Sequence, residues 1–296
     1  TYTISSATRA NSGTYKVKVT NAYGNDTSAV ATLGVFDAIP GIYNTGVDDT
    51  GVALADSDFD PHYILQINPG GTDQVPATVH SSTVFPIVAG PWLANNGSSK
   101  WISPLADSGS ASGLAFDGGE GPGTFVYRTT VDLTAFYLPS VKITGGWATD
   151  NLGPALRVNG AATGLVNNAQ FPALTSFTIS PANAAFVQGV NTIDFLVQNQ
   201  DANTGYTGLR IDQLRALGKL LPPMPPLTIT LNGSGQPVIS FTGVAGTSYP
   251  IQRSTELSSG WSEIATIVAG PGGAVQYTDL NAPVGRAYYR TAVLVP

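Results

Sequence analysis

Tryptophan, amide and acidic side chains lie close together in two segments of the sequence. Trp92 and Trp101 flank a stretch rich in glycine, asparagine and serine that includes Asn95, and Trp147 lies shortly before Asn151. Aromatic rings pack against the C–H faces of sugars while amides bond the hydroxyl groups. The pattern therefore predicts carbohydrate contacts from these five residues. The alternative is that the rings fill the core of a β-sandwich.

A second cluster consists of the carboxylates of Asp48, Asp49, Asp56, Asp58 and Asp60. Carboxylate oxygens are ligands that Ca²⁺ prefers in proteins. The spacing is not that of an EF-hand loop, because Pro61 stands where the turn glycine would be and Ile67 where the bidentate glutamate would be. The five aspartates predict a structural calcium site, with a solvated acidic loop as the alternative.

The residues available for catalysis are few. His62 and His80 are the only histidines, and no Gly-x-Ser-x-Gly motif accompanies them. Glycoside hydrolysis needs two facing carboxylates, but the three glutamates lie in different segments at Glu120, Glu256 and Glu263. The chain has no cysteine, which excludes thiolate nucleophiles and thiolate zinc sites. We therefore predict a protein that is not an enzyme.

Composition indicates which elements must position these side chains. The 296 residues include 34 glycines and 21 prolines, while charged residues make up only 11%. Such a chain favours short strands joined by tight turns, so we predict an all-β fold. The net charge of −6 provides no basic stripe for nucleic acid. The longest uncharged stretch, 158–193, is interrupted by amides and prolines, so no membrane span is predicted.

The first segment has alternating strand character. Strand-like runs lie near Tyr2–Ser5, Thr14–Thr20 and Ala29–Val35. The string Ser12–Asn21 resembles the late strands of a bacterial immunoglobulin-like domain, in which Tyr15 would be the tyrosine corner and Val17 would stand at the usual cysteine position. Residues 1–36 would then be a partial domain, with Tyr15, Val17 and Val19 on its buried face.

Such a fragment cannot pair its own strand edges. We expect it to be covered by an upstream segment, by the rest of its own chain, or by strands from a neighbouring subunit.

The middle region, 37–218, contains strand runs near Phe125–Leu133, Val141–Ile143, Ala155–Asn159, Ser176–Ile179, Thr192–Asn199 and Gly208–Ala216. Three strings, Phe125–Leu133, Asp150-Asn151 with Leu156–Gly160, and Gly189–Phe195, resemble galactose-binding-like jelly rolls of secreted bacterial carbohydrate-binding modules. The second string ends in Asn159-Gly160, which predicts a hairpin turn. The resemblance is best over the second half of the region. It implies a β-sandwich, a carbohydrate ligand and, as is frequent in such folds, one structural Ca²⁺.

Residues 219–226 are rich in proline and predict a stiff linker. Beyond it, 227–296 contains six strand runs and resembles fibronectin type III-like modules, on the strings Ile251–Thr255, Trp261 and Ala287–Arg290. Such modules usually have seven strands. Only six runs are found here, so we expect one strand position of the module to be unfilled.

These observations predict tandem β-sandwiches, namely partial immunoglobulin-like, jelly-roll and fibronectin-like, in an extracellular or cell-surface protein. We expect a structural subunit that associates head to tail through strand pairing and forms a fibre or surface layer. The low content of charged residues favours this, because copies of the protein repel one another only weakly. The alternative is a carbohydrate-binding appendage of a larger secreted polysaccharide-degrading enzyme. An adhesin that combines both roles is equally compatible with the sequence.

Overall fold

The computed structural model describes residues 3–8, 11–69, 71–107, 122–200, 206–221 and 226–291. Their regular secondary structure is almost entirely antiparallel strand, which confirms the all-β class. The chain divides into an N-terminal unit, Thr1–Leu220, and a C-terminal unit, Leu221–Pro296. Within the described ranges, no helical segment has the length and apolar content to cross a bilayer.

The N-terminal unit begins with a long β-hairpin. Its strands are β1 (Gly13–Tyr15), β2 (Lys18–Asn21), β3 (Gly24–Thr27) and β4 (Ala31–Leu33), with β1 paired to β4 and β2 to β3. Two hydrogen bonds between Val17 and Ser28 link the two ladders. The predicted run 14–20 is therefore interrupted at its centre, and the described part of the first run forms no strand.

The side chains of this hairpin only partly follow the predicted pattern. Tyr15 is half-buried, and its hydroxyl donates a hydrogen bond to the carbonyl of Asn11, which is the contact that a tyrosine corner makes. Val17 and Val19, predicted to be buried, are each 64% exposed. No described element of this chain covers that face, so of the three expected covers, the described rest of the chain is not the one that buries Val17 and Val19.

The rest of the N-terminal unit is one sandwich. Its strands are β5 (Asp37–Ala38), β6 (Phe59–Ile67), β7 (Val75–Val79), β8 (Ile102–Ser103), β9 (Gly123–Asp132), β10 (Phe136–Asp150), β11 (Leu152–Val158), β12 (Ala161–Ala162), β13 (Thr175–Ile179), β14 (Val190–Asn199) and β15 (Gly208–Leu220). Each of the six predicted strand runs lies on one of these strands. Since β15 continues to Leu220, the first two residues of the predicted linker belong to the sheet, while Pro222–Pro225 lie outside the described residues.

The strands follow the order β12-β11-β14-β9-β6-β7-β8-β15-β10-β13, with β5 added beside β15. The two halves of this path share one apolar core. Phe195 of β14 contacts Trp147 of β10 and Phe177 of β13, with ring centroids 5.6 and 5.7 Å apart. Burial alternates along the second half of β9, from Tyr127, and over the last three residues of β11, as expected for strands with one face on a core.

The predicted hairpin turn at Asn159 and Gly160 is present between β11 and β12. Both residues have positive φ angles, 50° and 80°, which a two-residue turn of type I′ requires. The turn is fixed by a hydrogen bond of 2.8 Å from the Asn159 amide to the buried Asn191 side chain. The Asn-Gly signal in the sequence was therefore sufficient to place this corner of the sandwich.

The C-terminal unit has a strand at each of the six predicted runs, and the end of the last run, 292–295, lies outside the described residues. The strands are β16 (Thr228–Leu231), β17 (Pro237–Thr242), β18 (Ser248–Ser254), β19 (Ser262–Val268), β20 (Ala274–Thr278) and β21 (Tyr288–Thr291). They form two three-stranded sheets, β16-β17-β20 and β19-β18-β21. Phe241 and Tyr249 pack edge to face between the two sheets, 5.1 Å apart. Arg253 donates to both carboxylate oxygens of Asp279, at 3.0 and 2.8 Å, and so ties β18 to the segment after β20.

Candidate functional site

An open groove of about 440 Å³ lies at one end of the N-terminal sandwich. Its floor is formed by the end of β10 and by Tyr206, which lies just before β15. Its walls are the 85–93 and 167–171 loops. The lining residues are Phe85, Pro86, Pro91, Asp150, Asn151, Gln170, Phe171 and Tyr206. Three aromatic rings thus surround two amides and one carboxylate, and the volume is within the range of about 300–1,000 Å³ typical of small-molecule sites.

The carboxylate in the floor is held from below by an indole ring. Asp150 is 6% exposed, and its Oδ2 accepts a hydrogen bond of 2.7 Å from Nε1 of Trp92. The ring of Trp92 stacks on that of Trp101, with centroids 4.1 Å apart. The backbone carbonyl of Asp150 accepts a hydrogen bond of 2.8 Å from the hydroxyl of Thr207. Asp150 is therefore fixed at both its side chain and its main chain.

The wall at 167–171 is shaped by one buried amide. Asn167 donates to the carbonyl of Trp147 at 3.0 Å, and its Oδ1 accepts from the backbone of Ala169 and Gln170 and from the hydroxyl of Thr175. These contacts satisfy a fully buried side chain and hold Gln170 at a φ angle of 61°. The Gln170 side-chain amide hydrogen-bonds to no described residue, so its polar atoms are available to a ligand.

The opposite wall, 85–93, is tied to the first one. The backbone N–H of Leu93 donates to the carbonyl of Phe171 at 2.9 Å. Phe85 is 45% exposed at the rim, where its ring meets that of Tyr206 edge-on at 5.0 Å. Because a hydrogen bond joins the two walls and a ring contact joins the 85–93 wall to Tyr206 in the floor, the groove is formed before any ligand binds.

Buried polar contacts anchor the loop that continues from this wall. Arg210 of β15 donates to Oγ of Ser99 at 3.0 Å and to the carbonyl of Ala94, and its Nη2 lies 3.5 Å from Oδ2 of Asp212. Asn95 accepts from the backbone N–H of Trp101 at 2.9 Å. The loop is therefore held by side chains that are far away in sequence.

The five predicted sugar-binding residues have different positions. Asn151 lines the groove. Trp92 and Trp101 are buried beneath it, and Trp147 is buried in the main core, so none of these indoles presents an open face to solvent. Asn95 is engaged in the loop, where its amide donates to Ser82 at 3.0 Å. The structure thus brings Asn151 and Trp92 to the site, with Trp92 in a supporting position.

The aromatic residues that line the groove were not identified from the sequence. Phe85 is an exposed ring, Phe171 and Tyr206 are half-buried rings, and Gln170 is the second amide. Both phenylalanines directly precede a proline, Pro86 and Pro172, which places an apolar ring in a loop rather than a strand. That dipeptide is the signal that could have identified them.

The predicted calcium ligands are hydrogen-bonded separately within the protein. Asp48 caps a turn through the backbone N–H groups of Thr50 and Val52, and Asp58 accepts from the backbone N–H of Ala55. Asp49 is exposed, with its carboxylate 3.6 Å from His62.

Asp56 and Asp60 are also occupied. Asp56 binds Nζ of Lys100 at 2.8 Å and the hydroxyl of Ser82 at 2.8 Å; burial acts to raise its pKa, but these partners hold it below the usual value. Asp60 accepts from the backbone N–H of Gly46 at 2.6 Å and of His62 at 2.8 Å. Among the described residues, no three histidine or acidic side chains converge as a metal site requires, so the geometry does not support a calcium site at the five aspartates.

The two histidines have no catalytic partner in the described part of the chain. The His62 ring stacks on Tyr43 at 3.7 Å, and His80 is buried with Nδ1 3.2 Å from the Ser81 carbonyl. Neither imidazole hydrogen-bonds to a described serine hydroxyl. The geometry of a Ser-His-Asp triad is therefore not formed by these residues.

No protein-family model matches this chain, and no curated protein matches it in sequence. The resemblances to immunoglobulin-like, galactose-binding-like and fibronectin-like modules stay predictions.

Proposed function

We propose that this protein is a non-catalytic, extracellular glycan-binding protein whose binding site is the groove between the 85–93 and 167–171 loops. The observation that carries the proposal is the combination of three aromatic rings with the amides of Asn151 and Gln170 in a pre-formed groove. Rings can cover the apolar faces of a sugar while amides satisfy its hydroxyl groups. The extracellular location is supported only by the resemblance to secreted bacterial modules.

The composition of the groove favours binding over hydrolysis. Glycosidases place two carboxyl groups on opposite sides of the scissile bond. Among the described residues that line the groove, Asp150 provides the sole carboxylate. This supports the role of a binding appendage, such as one attached to a larger secreted polysaccharide-degrading enzyme.

The test is retention of the purified protein on a panel of polysaccharides: cellulose, starch, β-1,3-glucan, galactomannan and pectin. We expect binding to at least one, weakened about tenfold by Phe85→Ala, because the ring contributes on the order of 1.5 kcal/mol when a ligand covers it. Phe59→Ala is the matched control, since Phe59 is 68% exposed on β6 and does not line the groove. Retention on no polymer, or equal loss in both variants, would contradict the proposal.

A second function, a subunit of an extracellular fibre or surface layer, is favoured by the N-terminal hairpin. Val17 and Val19 present an apolar stripe, and each hairpin strand pairs with only one other described strand, which leaves two open edges. The sheet β19-β18-β21 of the C-terminal unit also has open edges within the described residues. Exposed edges of this kind are templates for pairing with another chain, which supports head-to-tail association of copies.

A further inference from the structure

We infer that the hairpin strand of one copy docks in an apolar groove on the C-terminal unit of the next copy. This inference rests on the second proposed function, assembly of copies, and names the two surfaces that meet. The C-terminal groove has a volume of about 530 Å³ and is lined by β16, by the segment after β20 and by β21. Its lining includes four exposed apolar side chains, those of Ile229, Leu231, Leu280 and Val284. The C-terminal unit therefore carries an uncovered apolar surface.

The C-terminal groove lies at an open side of the sandwich. Among the described strands, β16 pairs only with β17 and β21 only with β18, so each is the edge of its sheet. Residues of both strands line the groove, so these two edges lie on the same side. Ile229 and Leu231 alternate with threonines along β16, as in a strand with one face on a core, yet both are exposed. A strand added beside β21, with apolar side chains turned towards β16, would cover them.

The N-terminal hairpin provides a segment with the properties that such a strand needs. The occupant must be extended, with a free backbone edge and apolar side chains at every second position. Val17 and Val19 are exposed two positions apart, and within the described residues β1 and β2 are each paired on one side only. Lys16 and Lys18 lie at the alternate positions and would stay in solvent when the valines face the groove.

The distribution of charge favours this contact between copies. The chain has a net charge of −6, but 11–35 contains two lysines and one aspartate, and 226–291 contains three arginines and three acidic residues. The region between them, 36–225, contains seven basic and fifteen acidic residues. Docking therefore brings a segment with a net charge of +1 to a neutral unit. Contact between two middle regions would instead bring like charges together, which disfavours that arrangement.

Cross-linking between single-cysteine variants tests the contact, because the chain has no cysteine of its own. Val19→Cys and Leu231→Cys chains are mixed in dilute solution, concentrated and treated with bismaleimidoethane. One variant is labelled with heavy nitrogen, so that mass spectrometry identifies links between the two variants. We expect Val19→Cys to link to Leu231→Cys as the main product. Val268→Cys is the matched control and should not link to Val19→Cys, since Val268 is a 60% exposed valine at the opposite edge of the same sheet, outside the groove.

A charged substitution in the C-terminal groove provides a second measurement. Leu231→Asp should weaken self-association about tenfold in sedimentation velocity, because docking would remove an unpaired carboxylate from water. Val268→Asp is the control and should associate like the wild type. Thermal melting establishes that both variants are folded, and the cross-linking result stands by itself if either is not.

The outcomes separate this inference from the assembly function. A wild-type protein that assembles without linking Val19→Cys to Leu231→Cys above the Val268→Cys control would overturn the docking and leave assembly intact. Val19→Cys chains that link mainly to one another, or a folded Leu231→Asp variant that associates like the wild type, would also overturn the docking. A wild-type protein that is monomeric at every concentration would overturn both.

Discussion

The indole of Trp92 donates a hydrogen bond of 2.7 Å to the carboxylate of Asp150, 58 positions further along the chain. This contact joins a loop that contains no long strand to the end of β10, the longest strand of the sandwich. It also explains why a tryptophan in a polar loop is buried: its ring supports the groove, while its nitrogen fixes the charged group in the groove floor.

Replacing Trp92 with phenylalanine should destabilise the N-terminal unit by about 1–3 kcal/mol, because the Asp150 carboxyl group loses a donor and the smaller ring loses part of the buried packing. Polysaccharide binding should weaken as Asp150 loses its fixed position. Urea unfolding and polymer retention measure the two effects. Trp261→Phe, in the C-terminal unit, is the control and should change neither. An unchanged midpoint for Trp92→Phe would show that the hydrogen bond is unimportant.

Gly208→Ala tests the packing beneath the groove. A Cβ atom at this position would lie 2.6 Å from Cη2 of Trp92, too close for any real contact. We expect destabilisation of about 1–3 kcal/mol by overpacking, measured by thermal or urea unfolding. The control is Gly97→Ala, in the loop after residues 85–93. A Cβ atom there would have no neighbour within 4 Å, so this variant should be nearly as stable as the wild type. Equal stabilities for the two variants would mean that Trp92 is less tightly held than its contacts indicate.

Asp60 should make the stability of the N-terminal unit depend on pH. Burial raises its pKa from 3.8 to about 6, although the backbone N–H groups of Gly46, His62 and Tyr63 oppose the shift. The folded state holds this proton more tightly than the unfolded chain, so the stabilisation is fully present below pH 3.8 and is lost as the pH rises through 6. The loss amounts to about 3 kcal/mol.

The measurement is urea unfolding of wild type and Asp60→Asn at pH 4 and pH 7, followed by tryptophan fluorescence. The free energy of unfolding of the wild type, relative to that of Asp60→Asn, should fall by about 3 kcal/mol between pH 4 and pH 7. Asp58→Asn, at an exposed neighbouring carboxylate, tests whether loss of any acidic group in the segment has the same effect. A constant difference for Asp60→Asn would contradict the prediction.

The hairpin prediction concerns association rather than stability. If copies meet through the Val17 and Val19 stripe, the double variant Val17→Ser with Val19→Ser should weaken self-association, as measured by sedimentation velocity over a range of concentrations. The control is Val52→Ser with Val190→Ser, which removes two valines that are 60% and 62% exposed elsewhere. A wild-type protein that is monomeric at every concentration, or a control that dissociates equally, would remove the assembly function.

The sequence was most informative about strands and turns, because these depend on local pattern. Strand-like runs between turn residues identified β9 and β14, and the Asn159-Gly160 pair identified the corner between β11 and β12. The groove could not be located in this way. Whether Trp92 is exposed depends on Gly208 and Asp150, which are distant in sequence and meet it only in the folded sandwich.

The acidic segment also could not be interpreted from local sequence, because its hydrogen-bond donors come from distant residues. The alternation of Asp56, Asp58 and Asp60 suggested metal ligands, but it contains no information about which donors the fold brings to them. Ser82 and Lys100 reach Asp56 from 26 and 44 positions away. A carboxylate whose oxygens already accept hydrogen bonds from such donors has fewer lone pairs left to bind a cation.

Glycan binding in the groove is tested most directly by mapping where a glycan contacts the protein. Hydrogen–deuterium exchange would be measured with and without saturating cellohexaose, maltohexaose, laminarihexaose and mannohexaose. If the groove is the binding site, an oligosaccharide that binds will protect amides in 85–93, 150–151 and 167–171. Protection confined to 11–35 or to 226–291, with those three segments unchanged, would show that the groove is not the glycan site.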